Sequence, residues 1–407
     1  MAARDWQRAL DTITAGDVPD WRLASICHAE LEEIDAALES AQRAAMLSPG
    51  DPACWHQLGV AHQLAASDDS QGHYVESHLC FERAFRMIDT PITASALGGS
   101  AVTLGQFDLG LTLFRRAQER GPHTHARMAE AGTLLLLGQY REGWEKLEAR
   151  MDLADGTKGP PYLGTLADLR DKTVVVRAEQ GYGDMIQFMR YIPKLRPYCR
   201  DVVVEVHDGL EALISAFTTE RTVAAPYIFG SDDVSVNIMS LPLLLGPVIG
   251  WAPIGALSVP GEFARQRSGI GFCPATVMGV VRDNSAYANS VVRRKRFPFS
   301  LMMDLVKDFG PFRSLLHDDL GTEDWLETAH VIAGLDLVIT IDTAVAHLAA
   351  SLGIETWVLQ RFDHCWRWNE GWYSTARIFK QDAPGDWGSV YRKVRDALGD
   401  RNRCKGQ

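Results

Sequence analysis

Three short segments of the 407-residue chain carry residue types whose spacing could do chemistry. The first is Ile339 to Gly353 (ITIDTAVAHLAASLG), in which a β-branched run stops at Asp342 and the small residues Thr343 and Ala344 open a helical stretch. The free N–H groups and dipole of a helix start suit a pyrophosphate. His347, one turn in, is placed to reach the same phosphates or a sugar, or else to sit satisfied and partly buried. The second is Ala178 to Asp184 (AEQGYGD). Gly181 and Gly183 let the backbone turn sharply and approach a ligand, and Asp184 falls at a helix start, where it serves as a general base or simply as a cap. Gln187 or its neighbours stand where a dinucleotide fingerprint needs its third glycine, which disfavours an NAD role. The third is Arg293-Arg294-Lys295-Arg296 before Phe297-Pro298. Such a charge run is usually a solvated loop, but Lys295 or Arg296 is a sensible cationic partner for a departing diphosphate.

These segments need parallel strands to hold them. Thr173 to Arg177 (TVVVR) is the apolar run of a buried parallel strand, and it passes through the glycine segment into a helical stretch from Met185 to Leu195. The unit recurs as Asp201 to Val206 followed by Gly209 to Phe217, and as Leu335 to Ile341 followed by Thr343 to Leu352. Strands alternating with helices predict two doubly wound Rossmann-like lobes, with ligands at the carboxyl ends of the strands in the cleft between them. A helix over Val390 to Leu398 closes the second lobe or crosses back to the first.

Before Met151 the period changes. Aligned on itself, the chain from 18 to 150 repeats at about 34 residues. Ala37, Ala41, Ala44 and Pro49 recur as Ser77, Phe81 and Ala84, then as Gly110, Phe114, Ala117 and Pro122, and last as Gly143, Leu147 and Arg150. Gly105-Gln106-Phe107 and Gly138-Gln139-Tyr140 repeat the turn, and Trp55, Leu58 and Gly59 mark a first helix. Small residues let paired helices approach and an aromatic fills the space to the next pair, which predicts about three and a half solenoid units with a concave groove for peptides or partner proteins. Ala66 to His73 reads as an enlarged turn. The domains expected are therefore a helical repeat over 1–150, a glycine- and proline-rich linker over 151–170, one lobe over 171–265 and a second over 266–407.

Composition excludes several classes. A net charge of -11 argues against broad nucleic-acid binding. The seven scattered cysteines form no CxxC, so they read as reduced structural thiols in a cytoplasmic protein rather than as disulfides or a zinc site. The apolar stretch Leu241 to Trp251 is interrupted by Pro242 and Pro247 and is too short to span a bilayer. The first residues, MAARDWQRAL, lack the apolar core of a signal peptide.

The segments AEQGYGDMIQFMRYIP, SLPLLLG, LDLVITIDTAVAHLAASLG and WRW through GDW, in this order, resemble bacterial tetratricopeptide proteins whose C-terminal region is similar to the ADP-heptose heptosyltransferases. The resemblance covers about 20 to 398, and DTAVAHLA is its most specific part. The same pairing of modules resembles O-GlcNAc transferase. The resemblance implies a GT-B fold, with the acceptor on the first lobe and the donor on the second, and an inverting, metal-independent transfer of a hexosyl or heptosyl group. It implies no cofactor beyond a nucleotide-diphosphate sugar. It puts the general base at Asp184, a phosphate-binding lysine at Lys295 with Pro298, and the donor diphosphate at Asp342, Thr343, Ala344 and His347. Acceptors left open are a polysaccharide or lipid-linked core, a protein held in the repeat groove, or a modified nucleobase.

The chain departs from the family where a strand usually reading GLVWAGN is replaced by Ile270 to Ala275 (IGFCPA), where the longer stretch Thr276 to Val292 precedes the basic run, and in length around His364 to Trp372. These departures bear on the donor's sugar and base. They also support the rival expectation of a non-catalytic scaffold with a degenerate GT-B domain. An epimerase on the same fold would need further acids and bases that the cleft segments do not supply.

Overall fold

The computed structural model describes residues 3–13, 18–66, 71–153, 164–254, 258–263, 266–275, 295–322, 324–363 and 365–405. Arg293, Arg294, the stretch 276–292, His364 and half of the linker, 154–163, lie outside them, as does the middle of the turn expected at Ala66 to His73.

A first helix, α1 (Ala3–Thr12), precedes helical hairpins formed by α2 (Val18–Glu30) with α3 (Ile34–Leu47), α4 (Pro52–Ala65) with α5 (Gln71–Met87), α6 (Pro91–Thr103) with α7 (Phe107–Glu119), and α8 (Thr124–Leu136) with α9 (Tyr140–Leu147). The local chemistry sets the ends. Asp51 accepts from Ala53 N–H ahead of Pro52, and Thr90 forms a reciprocal cap with Thr93 ahead of Pro91. Gly105 and Gly138 close equivalent turns at φ 78° and 75°, the left-handed region that glycine enters without strain. The repeated positions do the packing expected of them: the ring of Phe81 lies against Gly59 and that of Phe114 against Gly98, each where a Cβ would collide.

The rest of the chain forms two parallel sheets. In the first, β1 (Thr173–Arg177), β2 (Asp201–Val206), β3 (Arg221–Ala224) and β4 (Asp233–Asn237) take the order β3-β2-β1-β4. In the second, β5 (Ile270–Cys273), β6 (Arg313–Ser314), β7 (Leu337–Ile341), β8 (Glu355–Gln360) and β9 (Ala376–Lys380) take the order β6-β5-β7-β8-β9. Each order reverses once, between β1 and β4 and between β5 and β7, and such switch points open a crevice at the carboxyl ends of the strands. The helices α10 (Tyr182–Phe188), α11 (Glu211–Phe217), α12 (Leu241–Ile249), α13 (Phe299–Phe309), α14 (Trp325–Ala333), α15 (Ala344–Ser351) and α16 (Trp387–Lys405) belong to this half. The helix expected over Met185 to Leu195 begins three residues earlier and passes through a tighter turn at Met189–Tyr191. No helix of the described residues is long and apolar enough to cross a membrane.

Alternation along β7 splits its side chains between two cores. Leu337, Ile339 and Ile341 join Trp357, Phe379 and Val390, so α16 packs on the second sheet. Val338 joins a larger core that runs from Ala131, Leu135 and Trp144 of the last hairpin, through Val174 and Phe188 of the first lobe, to Leu348, Trp366 and Trp372 of the second. The last hairpin of the repeat array and both lobes therefore share one apolar interior, while the earlier hairpins keep cores of their own.

A buried ionic network fastens the same junction. Arg150, just beyond α9, is 5% exposed and donates through Nε and Nη2 to the two carboxylate oxygens of Glu179, each at 2.8 Å. Glu179 follows β1 and also accepts from Met239 N–H at 2.9 Å, while Arg150 reaches Ser240 Oγ at 2.7 Å and Glu148 at 2.6 Å. A buried pair needs such full satisfaction to repay its desolvation.

Candidate functional site

The residues expected to act arrive at the two switch points. After β1 the chain passes Gln180 at φ 59° and enters α10 at Tyr182, with Gly181 as the residue before the helix. Asp184 is the third residue of α10 rather than its cap, and its Oδ2 accepts from Gly181 N–H at 3.3 Å. Gly183 stands against the second lobe: a Cβ there would lie 2.9 Å from His347 Cδ2 and 3.5 Å from Ala344 Cα. The glycine is what lets the start of α10 reach the start of α15.

After β7, Thr343 caps α15, its Oγ1 accepting from Ala346 N–H at 3.4 Å and lying 3.1 Å from Thr340 Oγ1. Ala344 is the first helical residue. Asp342 is held by Lys295, whose Nζ donates to Oδ2 at 2.7 Å, and by Trp368, whose indole N–H donates to Oδ1 at 2.8 Å. His347 Nε2 lies 3.9 Å from the same Oδ1. Its ring stacks on Trp368 at 4.4 Å between centroids, and its Nδ1 is 2.8 Å from the Tyr373 hydroxyl.

Burial and neighbours fix the charges here. Burial pushes His347 down to about 4, against the pull of Asp342 and Asp184, so its imidazole is neutral near pH 7. Burial would raise the Asp342 carboxyl, but Lys295 and the surrounding donors outweigh it and hold that group well below the usual carboxylate range. For Lys295 burial acts downward and Asp342 outweighs it, so the ammonium is retained. Burial lifts the Tyr373 phenol to about 12.

Sequence reasoning missed a charged residue that ties the second lobe to Asp184 of the first. Arg367, in the short turn Trp366–Trp368, donates through Nε to Asp184 Oδ1 at 2.6 Å, while its Nη1 lies 3.4 Å from Cys365 Sγ and its guanidinium covers the Trp366 ring. Gln187 Nε2 of α10 donates to the Arg367 carbonyl at 3.0 Å, and Arg190, in the tighter turn that follows α10, lies 4.5 Å from the Tyr373 ring centre. The only sequence signal was the aromatic density of Trp366, Trp368, Trp372 and Tyr373. Arg296 is not brought in: it is exposed, because the chain turns at Phe297, which is buried in the second core. Cys365, read with the other cysteines as a structural thiol, is half-buried with its Sγ beside Arg367.

No known protein-family profile matches the chain. Protein FlbA of Caulobacter vibrioides is 25% identical over an alignment of 433 residues, which covers 91% of this chain and 71% of FlbA. Among solved structures, a glycosyl transferase family 9 protein of Veillonella parvula superimposes with a TM-score of 0.37 at 12% identity, covering 58% of this chain and 99% of the other. A thermophilic TPR protein of Thermus thermophilus does so with a TM-score of 0.34 at 17% identity, covering 38% and 82%. The chain is thus similar to proteins of both kinds, a tetratricopeptide array and a glycosyl transferase.

Proposed function

We propose that the protein is an inverting glycosyltransferase that moves a sugar from a nucleotide-diphosphate donor to an acceptor hydroxyl. The observation that carries this reading is the meeting, across the two switch points, of the Asp184 carboxylate with the Asp342, Lys295 and His347 cluster. Arg367 occupies Oδ1 of Asp184, which leaves Oδ2, with its long bond to Gly181, turned to the acceptor side. There it takes the proton of the acceptor hydroxyl as that oxygen attacks the anomeric carbon and the bond to the diphosphate breaks. The departing charge is met by the N–H groups at the start of α15, by Lys295 and by neutral His347 as a hydrogen-bond partner. Because these groups supply the positive field, we read the transfer as metal-independent. The groove of the repeat array suits an acceptor or partner that is itself a polypeptide.

One observation favours the scaffold reading. The site's charges already satisfy one another, Arg367 with Asp184 and Lys295 with Asp342. A thermal-shift screen against UDP, GDP, ADP, CMP and dTDP sugars without added metal separates the two. Selective stabilisation by one class supports the transferase and names the donor nucleotide. No shift with any of them returns the lobes to a supporting role.

A further inference from the structure

The chain between β8 and β9 meets the repeat array at three places. The ring of Phe362 lies against Gly105 in the turn after α6, where a Cβ would come within 3.1 Å of it. Trp366 meets Trp144 of α9 edge to face, with 5.3 Å between ring centres. Asn369 donates from Nδ2 to the carbonyls of Leu135 and Leu136 at 2.9 and 3.1 Å. Those carbonyls belong to the last turn of α8, where a helix runs out of its own donors.

Between the last two anchors stand the residues that hold the carboxylates of the site. Arg367 donates to Asp184 at 2.6 Å, and Trp368 donates to Asp342 at 2.8 Å while its ring covers His347. Trp366 and Asn369 bracket them, and the Asn369 N–H closes the turn on the Trp366 carbonyl at 3.1 Å. A single tight turn has too few internal bonds to fix its own side chains. Its support comes from outside. Gln187 steadies the Arg367 carbonyl from the first lobe, and Trp366 is held by apolar contact, which is not directional. The Asn369 amide supplies the directional link to the array.

We infer that Asn369 is a positioning residue: docked on the end of α8, it holds Arg367 on Asp184 and Trp368 on Asp342, so that the last repeat hairpin is a working part of the site. That the two carboxylates serve a reaction rests on the glycosyltransferase reading above. The docking does not. Loss of Asn369 loosens both contacts together, where loss of Arg367 or Trp368 would remove one.

The test follows His347 by NMR of the full chain carrying labelled histidine. His347 titrates at about 4 because it is buried, with Trp368 stacked over it, and it moves toward the ordinary 6.5 if that ring shifts and water enters. Asn369→Ala should carry the midpoint clearly upward, and Asn369→Gln, which keeps an amide donor, should bring it back. Thr90→Ala removes a cap from α6 without touching the turn, and should leave His347 as it is. Titration with UDP-glucose, GDP-mannose and ADP-glucose gives the second readout. Whichever of them the wild type binds should bind about 10- to 100-fold more weakly to Asn369→Ala and close to normally to Asn369→Gln, since small misplacements in a site cost about that much. An unchanged His347 in Asn369→Ala overturns the inference, as does an equal rise in Thr90→Ala, which would trace the effect to general loosening. A shifted His347 with unchanged nucleotide-sugar affinity overturns the positioning role. A wild type that binds none of the three overturns the transferase reading, and His347 then decides the docking by itself.

Discussion

Arg367 of the second lobe and Asp184 of the first form a two-nitrogen contact, with Nε and Nη2 each 2.6 Å from the same carboxylate oxygen. The pair spans 183 positions of sequence and fixes one oxygen of the proposed base while leaving the other for chemistry. Asp184→Asn keeps the shape but removes the proton acceptor. Turnover should fall by about 10²- to 10⁴-fold with nucleotide-sugar affinity within about twofold of wild type, as read by product formation beside titration. Undiminished turnover would take the base role from Asp184.

His347 makes a pH prediction with a defined sign. Its ordinary value of 6.5 is depressed in the fold to about 4, so the unfolded chain binds the extra proton between those values. Its contribution to stability is complete above about pH 6.5 and is lost as the pH falls toward 4. Other histidines are depressed as well, among them His56 and His62, so the difference between proteins isolates the site. Unfolding midpoints of the wild type and His347→Gln, followed from pH 7.5 to pH 4.5, should draw together on acidification.

Gly183→Ala drives a methyl into the edge of a ring that is sandwiched by Trp368 and held by Tyr373. The ring has nowhere to go. Overpacking of this kind costs about 1–3 kcal/mol, and denaturant unfolding should show it as a lower midpoint with an unchanged slope. A midpoint equal to wild type would mean that the two lobes move apart freely in solution.

Arg150 and Glu179 should behave non-additively. Arg150→Met alone leaves a buried carboxylate without its main partner and should cost about 3–5 kcal/mol, whereas Arg150→Met combined with Glu179→Met should recover most of that loss. Equilibrium denaturation of the two single variants and the double completes the cycle.

Much of this architecture was legible in the sequence because it is local. The valine runs of β1 and β2 and the run into Asp342 announce themselves by composition, and the repeated small residues and aromatics of α5 and α7 by spacing. The helix start at Thr343 followed from the same local signals, whereas Gly183, expected to approach a ligand, stands against His347 and Ala344 of the other lobe. What was not legible depends on distant partners. Arg367 lies in an aperiodic turn whose meaning comes from Asp184, and Asn369 is an ordinary polar residue until the end of α8 is seen to accept from it. Arg296 and Lys295 are neighbours of the same type, and only the burial of Phe297 sends one inward and the other to solvent. The strands β6, β8 and β9 went unmarked because each is a short run of mixed polar and apolar residues without a clear period.

The composition break after residue 150 suggests a seam, yet Trp144 donates its indole N–H to the Trp251 carbonyl at 2.9 Å, and Asn369 of the second lobe donates to the carbonyls of Leu135 and Leu136 at the end of α8. The last hairpin is therefore inherited with the lobes. A chimaera that grafts foreign repeats onto this protein has to be joined ahead of α8, and lineages that trade repeat arrays would recombine there, not at the glycine-rich stretch that looks like a hinge.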